Sequence, residues 1–322
     1  MADSLGQLLE MLADGHELAT PEFAAFSDLA RSDVALVKEH WPGLSVQTRA
    51  LLLERASEFA DVNLEYNFEA LGVLALDDPD PEVRERAVTT LWESEDKRIG
   101  ARLAELATTD EGPGVRAAAA LALHGFVESL IGGRFDEETN RTIVNALRLA
   151  VEDADVGVRA AALEAAGAIP EEWVSDRILD AYESDERELR VSALRAMGDS
   201  ALERWVEYIS DQLYSGETEL RLEAVLAAGA NGAESLVPPL GEALADDDPE
   251  VVLAVIEALG EIGGEEAVEL LTEYAPVAPA GFEEALDAAL ALATDATMFR
   301  RFGELAADDD DDNDDDDRED EE

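Results

Sequence analysis

The sequence predicts an all-α protein: a right-handed α-solenoid of about eight antiparallel helix pairs, followed by a disordered acidic tail. Three observations carry that prediction. A short motif recurs at an almost constant interval, each copy writes an apolar stripe at helical spacing, and the composition is poor in aromatics (6%) at an ordinary apolar fraction of 47%. Such a composition suits closely packed small-residue helices, and it excludes a chain too polar to fold.

The motif is seen by setting DDPDPEVRERAVTT (77–90) beside DDDPEVVLAVIEAL (246–259). Aligned on its Arg, it recurs at Arg84, Arg116, Arg159, Arg190 and Arg221, in steps of 32, 43, 31 and 31 residues. Continuing by 31 reaches Val252 and Glu283, and Arg49 lies 35 residues upstream of the first. A period near 31 belongs to arrays of helical repeats. Asp80, Asp155 and Asp248 stand where a helix N-cap belongs, and Pro81, Pro113 and Pro249 where the first helical residue needs no N–H partner. Apolar residues fall one before the Arg position and three, four and seven after it, which makes one helix stripe. Gly167, Gly198, Gly229 and Gly260, eight after it, are expected to close the helix.

Upstream of each motif lies a second helical pattern, as in TIVNALRLAVED (142–153), VSDRILDAYESD (174–185), RWVEYISDQLYS (204–215) and LVPPLGEALADD (236–247). Neither helix buries its stripe alone, so the pairs must stack. The solenoid is expected over 1–306, with units near 20–58, 64–94, 98–128, 140–169, 171–200, 203–232, 235–264 and 267–305. Residues 1–20 supply a leading helix that caps the array. The long 43-residue step is read as an insert at 129–140, a loop on one rim. Pro276 and Pro279 interrupt the last unit, and 307–322 form the disordered tail.

Charge is the outlier. Asp and Glu number 77 against 23 Lys and Arg, a net of −54, and only Lys38 and Lys97 are lysines. The segment from Asp308 to Glu322 holds 13 acids and one Arg, so most of the excess is spread over the folded body. That surface repels itself in dilute buffer. Molar salt shortens the screening length to about 3 Å and removes most of the cost. The reading is a protein adapted to a high-salt cytoplasm, with a dedicated acidic protein that mimics or chaperones nucleic-acid partners as the rival. No apolar run approaches the 18 to 20 residues of a membrane span, no secretory leader is visible, and Cys is absent, which removes disulfides and thiolate chemistry.

The antiparallel pair, the DxDP turn and the following Val-Arg resemble the HEAT-repeat family. The short, Ala-rich version resembles the PBS-lyase type of that repeat, over roughly residues 20–300. The resemblance implies a ladder of ion pairs between turn Asp and helix Arg, matched here by Asp78 with Arg84, Asp110 with Arg116 and Asp153 with Arg159, six residues apart, with Arg190 and Arg221 at the following Arg positions. Ser184 and Ser215 replace the Asp, and Val252 and Glu283 the Arg, so the ladder is expected to break toward the C-terminus. The resemblance also implies second helices on the concave side, where partners lie.

No chemistry is expected. HEAT-like deoxyhypusine hydroxylase binds two irons through several His-Glu pairs, whereas this chain has three histidines and one such pair, His16-Glu17. A HEAT-like DNA glycosylase needs a basic groove, which a net of −54 denies. His40 precedes a turn and His124 ends a helix, neither beside a sequence-local nucleophile. No phosphate loop occurs, Gly132-Gly133 and Gly263-Gly264 reading as turns, and the Asp run 308–317 lacks calcium-loop spacing. The expectation is no catalytic, metal or cofactor residue; one alternative is an accessory factor or lyase-like enzyme of the PBS-lyase type acting on a chromophore-bearing or metabolic partner, and another is an acidic binder or chaperone of basic proteins.

What remains is surface, facing a partner protein and neither nucleic acid nor membrane. In the columns one and five after the Arg, Val191, Leu222, Leu226 and Leu253 form an apolar ridge flanked by Arg195, read either as packing between repeats or as an exposed anchor. Trp92 takes the column where other units have Gly and is expected to project. Arg134 and Phe135 in the insert complete the candidate contacts.

Overall fold

The computed structural model describes residues 5–63 and 65–311, and every regular element in that range is a helix. Cα packing divides the chain into two compact units, residues 1–192 and 193–322.

The first unit opens with α1 (Leu5–Ala13) and the single turn α2 (Thr20–Phe23). Helix pairs follow: α3 (Arg31–His40) with α4 (Val46–Val62), α5 (Glu69–Ala75) with α6 (Pro81–Thr89), α7 (Lys97–Thr109) with α8 (Pro113–Ile131), and α9 (Glu137–Ala150) with α10 (Val156–Ala166). Then come α11 (Glu172–Tyr182) and α12 (Arg187–Asp199), whose residues fall on both sides of the division. The second unit continues with α13 (Val206–Gln212) and α14 (Thr218–Asn231), α15 (Val237–Ala243) and α16 (Pro249–Ile262), and α17 (Glu265–Tyr274) and α18 (Glu283–Asp311). Eight pairs of this order are the helical-repeat architecture that the motif predicts.

The motif's columns act as their chemistry dictates. The Asp80, Asp155 and Asp248 carboxylates accept the N–H groups of Glu82, Val158 and Glu250, satisfying donors that the first turn leaves unpaired. Pro81, Pro113 and Pro249 begin their helices. The stripe is interior: Val83, Val115 and Val158 in the first unit and Leu220 and Val251 in the second are at most 3% exposed. Each such side chain contributes about 1.5–3 kcal/mol by leaving water.

The glycine column corrects the expectation. Gly198, Gly229 and Gly260 lie inside α12, α14 and α16, and only Gly167 stands at a helix end. A Cβ on Gly198 would meet the Ala227 Cα at 3.0 Å, one on Gly229 the Ala258 Cα at 3.3 Å, and one on Gly260 the Ala289 Cα at 2.9 Å. These glycines let successive second helices touch backbone to backbone, and the matching small residues, Ala227, Ala258 and Ala289, sit at the same step. The left-handed cap is Gly232, at φ 73°.

Residues 129–140 are not a rim loop. α8 runs on to Ile131, making it 19 residues long, and α9 starts at Glu137, so the extra residues are absorbed mainly as helix. α8 is also apolar and long enough, by those two measures, to cross a membrane. Its Val115, Ala119, Ala120, Leu123, Phe126 and Val127 are instead buried on neighbouring helices. The array's first end is closed by Leu8, Leu9 and Leu12 of α1 and by rings of Phe23, Phe59, Tyr66 and Phe68 with centroids 4.7–6.4 Å apart. At the other end Pro276 and Pro279 fall in the connection between α17 and α18. α18 extends to Asp311, into the segment expected to be disordered, and the rest of that segment lies outside the described residues.

Candidate functional site

A second helix is packed on most of its circumference, which leaves a narrow strip to meet anything else. At 100° per residue, the position five after the motif Arg lies almost opposite the buried stripe, and the position one after it about 40° nearer the packed side. The structure follows this geometry. In the first unit Thr89 and Leu121 are exposed and Glu164 half-buried; in the second Arg195, Leu226 and Glu257 are exposed. The other column sinks after its first repeat: Glu85 is exposed, Ala117 half-buried, Ala160 and Val191 buried, and Leu222 and Leu253 half-buried. Of the predicted ridge, therefore, only Leu226 stands out, at 48% exposure, and Leu121 at 43% is its counterpart in the first unit.

Arg195 is not a free rim cation. Its guanidinium donates twice to Glu223, Nε to Oε2 at 2.9 Å and Nη2 to Oε1 at 2.6 Å, and so neutralises a carboxylate that is itself buried. Arg134 pairs with Glu95, and the Phe135 ring stacks on Phe126 at 6.0 Å. Both of these predicted contacts are engaged within the chain.

The ladder exists with a different pairing. Each Arg sends Nη1 to the carbonyl oxygen six residues before it, as Arg84 to Asp78 at 2.8 Å, Arg116 to Asp110 at 2.9 Å and Arg159 to Asp153 at 2.9 Å. Its carboxylate partner belongs to the next repeat: Arg49 with Asp78, Arg84 with Asp110 and Arg116 with Asp153 in the first unit, and Arg221 with Asp246 in the second. The same Asp accepts the N–H two residues on, so one carboxylate ties a turn together and joins it to the preceding repeat. Ser184 and Ser215 keep the turn bond through Oγ and offer no carboxylate. The serines thus break the carboxylate series in mid-chain, while Arg221 and Asp246 beyond them pair normally. Arg190 still reaches the Ser184 carbonyl at 3.0 Å.

These pairs set the local titration. Burial raises the Asp110 pKa, but hydrogen bonds from Arg84 and the Gly112 N–H outweigh it and leave the carboxyl below its ordinary value. Asp153 and Asp246 are lowered chiefly by the hydrogen bonds from Arg116 and Arg221.

Trp92 projects as the column predicted, 53% exposed just beyond the end of α6. It borders a cleft of about 230 Å³ with Tyr66, Asn67, Phe68, Glu69, Glu93 and Ser94. Sequence reading identified Trp92 alone; Glu93 and Ser94 follow it in the α6–α7 connection, and Tyr66, Asn67, Phe68 and Glu69 arrive from the α4–α5 connection and α5, which carry no repeat motif to align. A second cavity, about 340 Å³, lies between α1 and α4 and is lined in part by His16, Thr48 and Arg55. A third, about 670 Å³, sets Arg31, Arg98 and Arg102 among Glu69, Asp77 and Asp96. There Arg98 is held by Asp96, and Arg102 by Asp77 and Glu105. His16 and His40 each share a hydrogen bond with a carbonyl of their own segment, and His124 faces Glu128 at 3.8 Å. No three metal-ligating side chains come together among the described residues.

Comparison with known proteins identifies HEAT repeats at residues 68–139 and 206–293. The matched stretches fall one in each unit. No curated protein matches the sequence. Among solved structures, the YibA protein of Escherichia coli is similar at 15% identity and a TM-score of 0.45, over 91% of this chain and 98% of that one. Human deoxyhypusine hydroxylase is similar at 19% identity and a TM-score of 0.35, over 90% and 97%. Importin beta gives 14% identity and 0.36, over 90% of this chain and 51% of that one. At these scores nothing about activity passes from any of them to this chain.

Proposed function

We propose that this chain is a non-catalytic scaffold or adaptor that holds another protein along the strip its second helices leave uncovered. One observation carries the reading. The position five after the motif Arg stays open to solvent through most repeats, and it is occupied by leucine at Leu121 and Leu226 among charged neighbours. An apolar side chain kept in the exposed column of a strongly acidic protein gives a partner apolar surface to bury.

On this reading the partner is a protein, neither nucleic acid nor membrane, met in a high-salt cytoplasm, and no metal or cofactor is needed. The 31-residue period supports the PBS-lyase type as the finer repeat class, and attachment of a chromophore is the enzyme reading that goes with it. A second binding mode is favoured by residues 222–299, which contain no Lys or Arg: a basic partner finds there an uninterrupted acidic surface. Affinity capture in molar KCl with mass spectrometry tests the proposal. The wild type and Leu149→Asp, a control at an exposed first-helix leucine, are expected to retain one partner that Leu226→Asp loses. Retention by all three contradicts the proposal.

A further inference from the structure

The four tryptophans of this chain are treated unequally. Trp41 donates its Nε1–H to Asp78 at 2.7 Å and is buried. Trp173 and Trp205 each carry an Arg guanidinium over the ring, Arg148 at 5.0 Å and Arg204 at 4.8 Å from the centroid. Trp92 is the most exposed large apolar side chain of its repeat, and no cation stands over it among the described residues. Its ring instead borders the 230 Å³ cleft, which Tyr66, Glu69 and Glu93 also line, and no Lys or Arg lines that cleft among the described residues.

From this we infer that the Trp92 cleft receives a cationic side chain, arginine or lysine, from a partner protein. The inference rests on the scaffold reading and names the chemistry of one of its contacts. A ring face attracts a cation through its quadrupole, more strongly where water is excluded. At about 230 Å³ the cleft is smaller than an ordinary small-molecule pocket, about 300–1,000 Å³. Phe68, 3% exposed, gives the methylene stem an apolar floor, on which long basic side chains lie well. Two carboxylates then meet the charge. Glu69 is held by the Ser94 hydroxyl at 2.9 Å and also feels Arg98, so the exposed Glu93 is the freer of the two. The guest completes at Trp92 what Arg148 and Arg204 already provide at Trp173 and Trp205.

The test titrates the intact protein with N-acetyl-Gly-Arg-Gly-amide, its lysine analogue and its citrulline analogue, followed by saturation-transfer NMR. About 1 M KCl, with a screening length of about 3 Å, suppresses diffuse attraction to the acidic body. The arginine and lysine peptides are expected to bind saturably and the citrulline peptide about tenfold more weakly, a factor within the range of a partly desolvated cation–π contact. Trp92→Leu, which keeps bulk and removes the ring, is expected to lose the same factor, and Trp92→Phe to keep most of it. Glu93→Gln, at an exposed position, is expected to weaken the cationic peptides and leave citrulline unchanged. Equal binding of arginine and citrulline peptides, no binding of either, or full binding by Trp92→Leu overturns the inference. Those outcomes leave the second-helix strip untouched, so capture by Leu226 separates failure of this contact from failure of the scaffold reading.

Discussion

Asp110 concentrates in one carboxylate what holds neighbouring repeats together. It takes two hydrogen bonds from Arg84, at 2.7 and 2.8 Å, and a third from the Gly112 N–H at 2.8 Å, with side chains of the pair only 10% and 5% exposed. Asp110→Ala leaves a buried guanidinium with the Asp78 carbonyl and the exposed Glu111 carboxylate at 3.8 Å, and is expected to cost about 3 kcal/mol by urea denaturation. Arg159→Ala removes hydrogen bonds to the carbonyls of Asp153 and Ala154 and a weaker electrostatic contact with the Asp153 carboxylate, and is expected to cost about 1 kcal/mol. Equal losses would show that the inter-repeat carboxylate adds nothing. The same pairs give a pH dependence. Asp110, Asp153 and Asp246 have folded-state pKa values below the unfolded one, so their contribution is complete above about pH 4 and is lost as pH falls through the folded values. Thermal midpoints measured downward from neutral are expected to fall there, less steeply in an Asp110→Asn, Asp153→Asn double variant. The Asp and Arg positions were legible in sequence as columns six apart. Their true pairing, one repeat onward, was not, because spacing along the chain does not say which turn faces which helix end.

At the scale of the element, the second helices carry both cohesion and surface. A Cβ on Gly260 would meet the Ala289 Cα at 2.9 Å, so a side chain has nowhere to go. Gly260→Val is expected to destabilise by about 1–3 kcal/mol through overpacking. Gly216→Ala, with nothing within 4 Å of the new carbon, is expected to stay within about 0.5 kcal/mol. A like cost at both would refute the close-contact role. Helix existence, caps and stripe were readable from Asp, Pro and apolar spacing. The glycines were misread as caps because in sequence a glycine near a helix end and a glycine at a helix crossing look the same. The 129–140 insert was misread for a related reason: the glycines at 132 and 133 signal a turn, while the residues before them simply prolong α8 by burying Phe126 and Val127. The exposed strip was legible as a column, but the partition between buried Val191 and exposed Leu226 needed the packing of neighbouring helices. So did the Trp92 cleft.

At the scale of the whole molecule, charge governs the conditions under which the fold is held. A net of −54 on 322 residues leaves self-repulsion that only screening relieves. Helicity by far-UV circular dichroism is expected to rise from dilute buffer to molar KCl, and full helicity at low ionic strength would contradict salt adaptation. On the proposed reading a partner draws its affinity from a few apolar anchors, Leu121 in the first unit and Leu226 in the second. Hydrogen–deuterium exchange of the partner complex in molar KCl tests this most directly. The account predicts new protection in peptides of α8 and α14 that contain Leu121 and Leu226, with the first helices α9 and α15 unchanged. Protection confined to first helices, or absent from the Leu226 peptide, would contradict it.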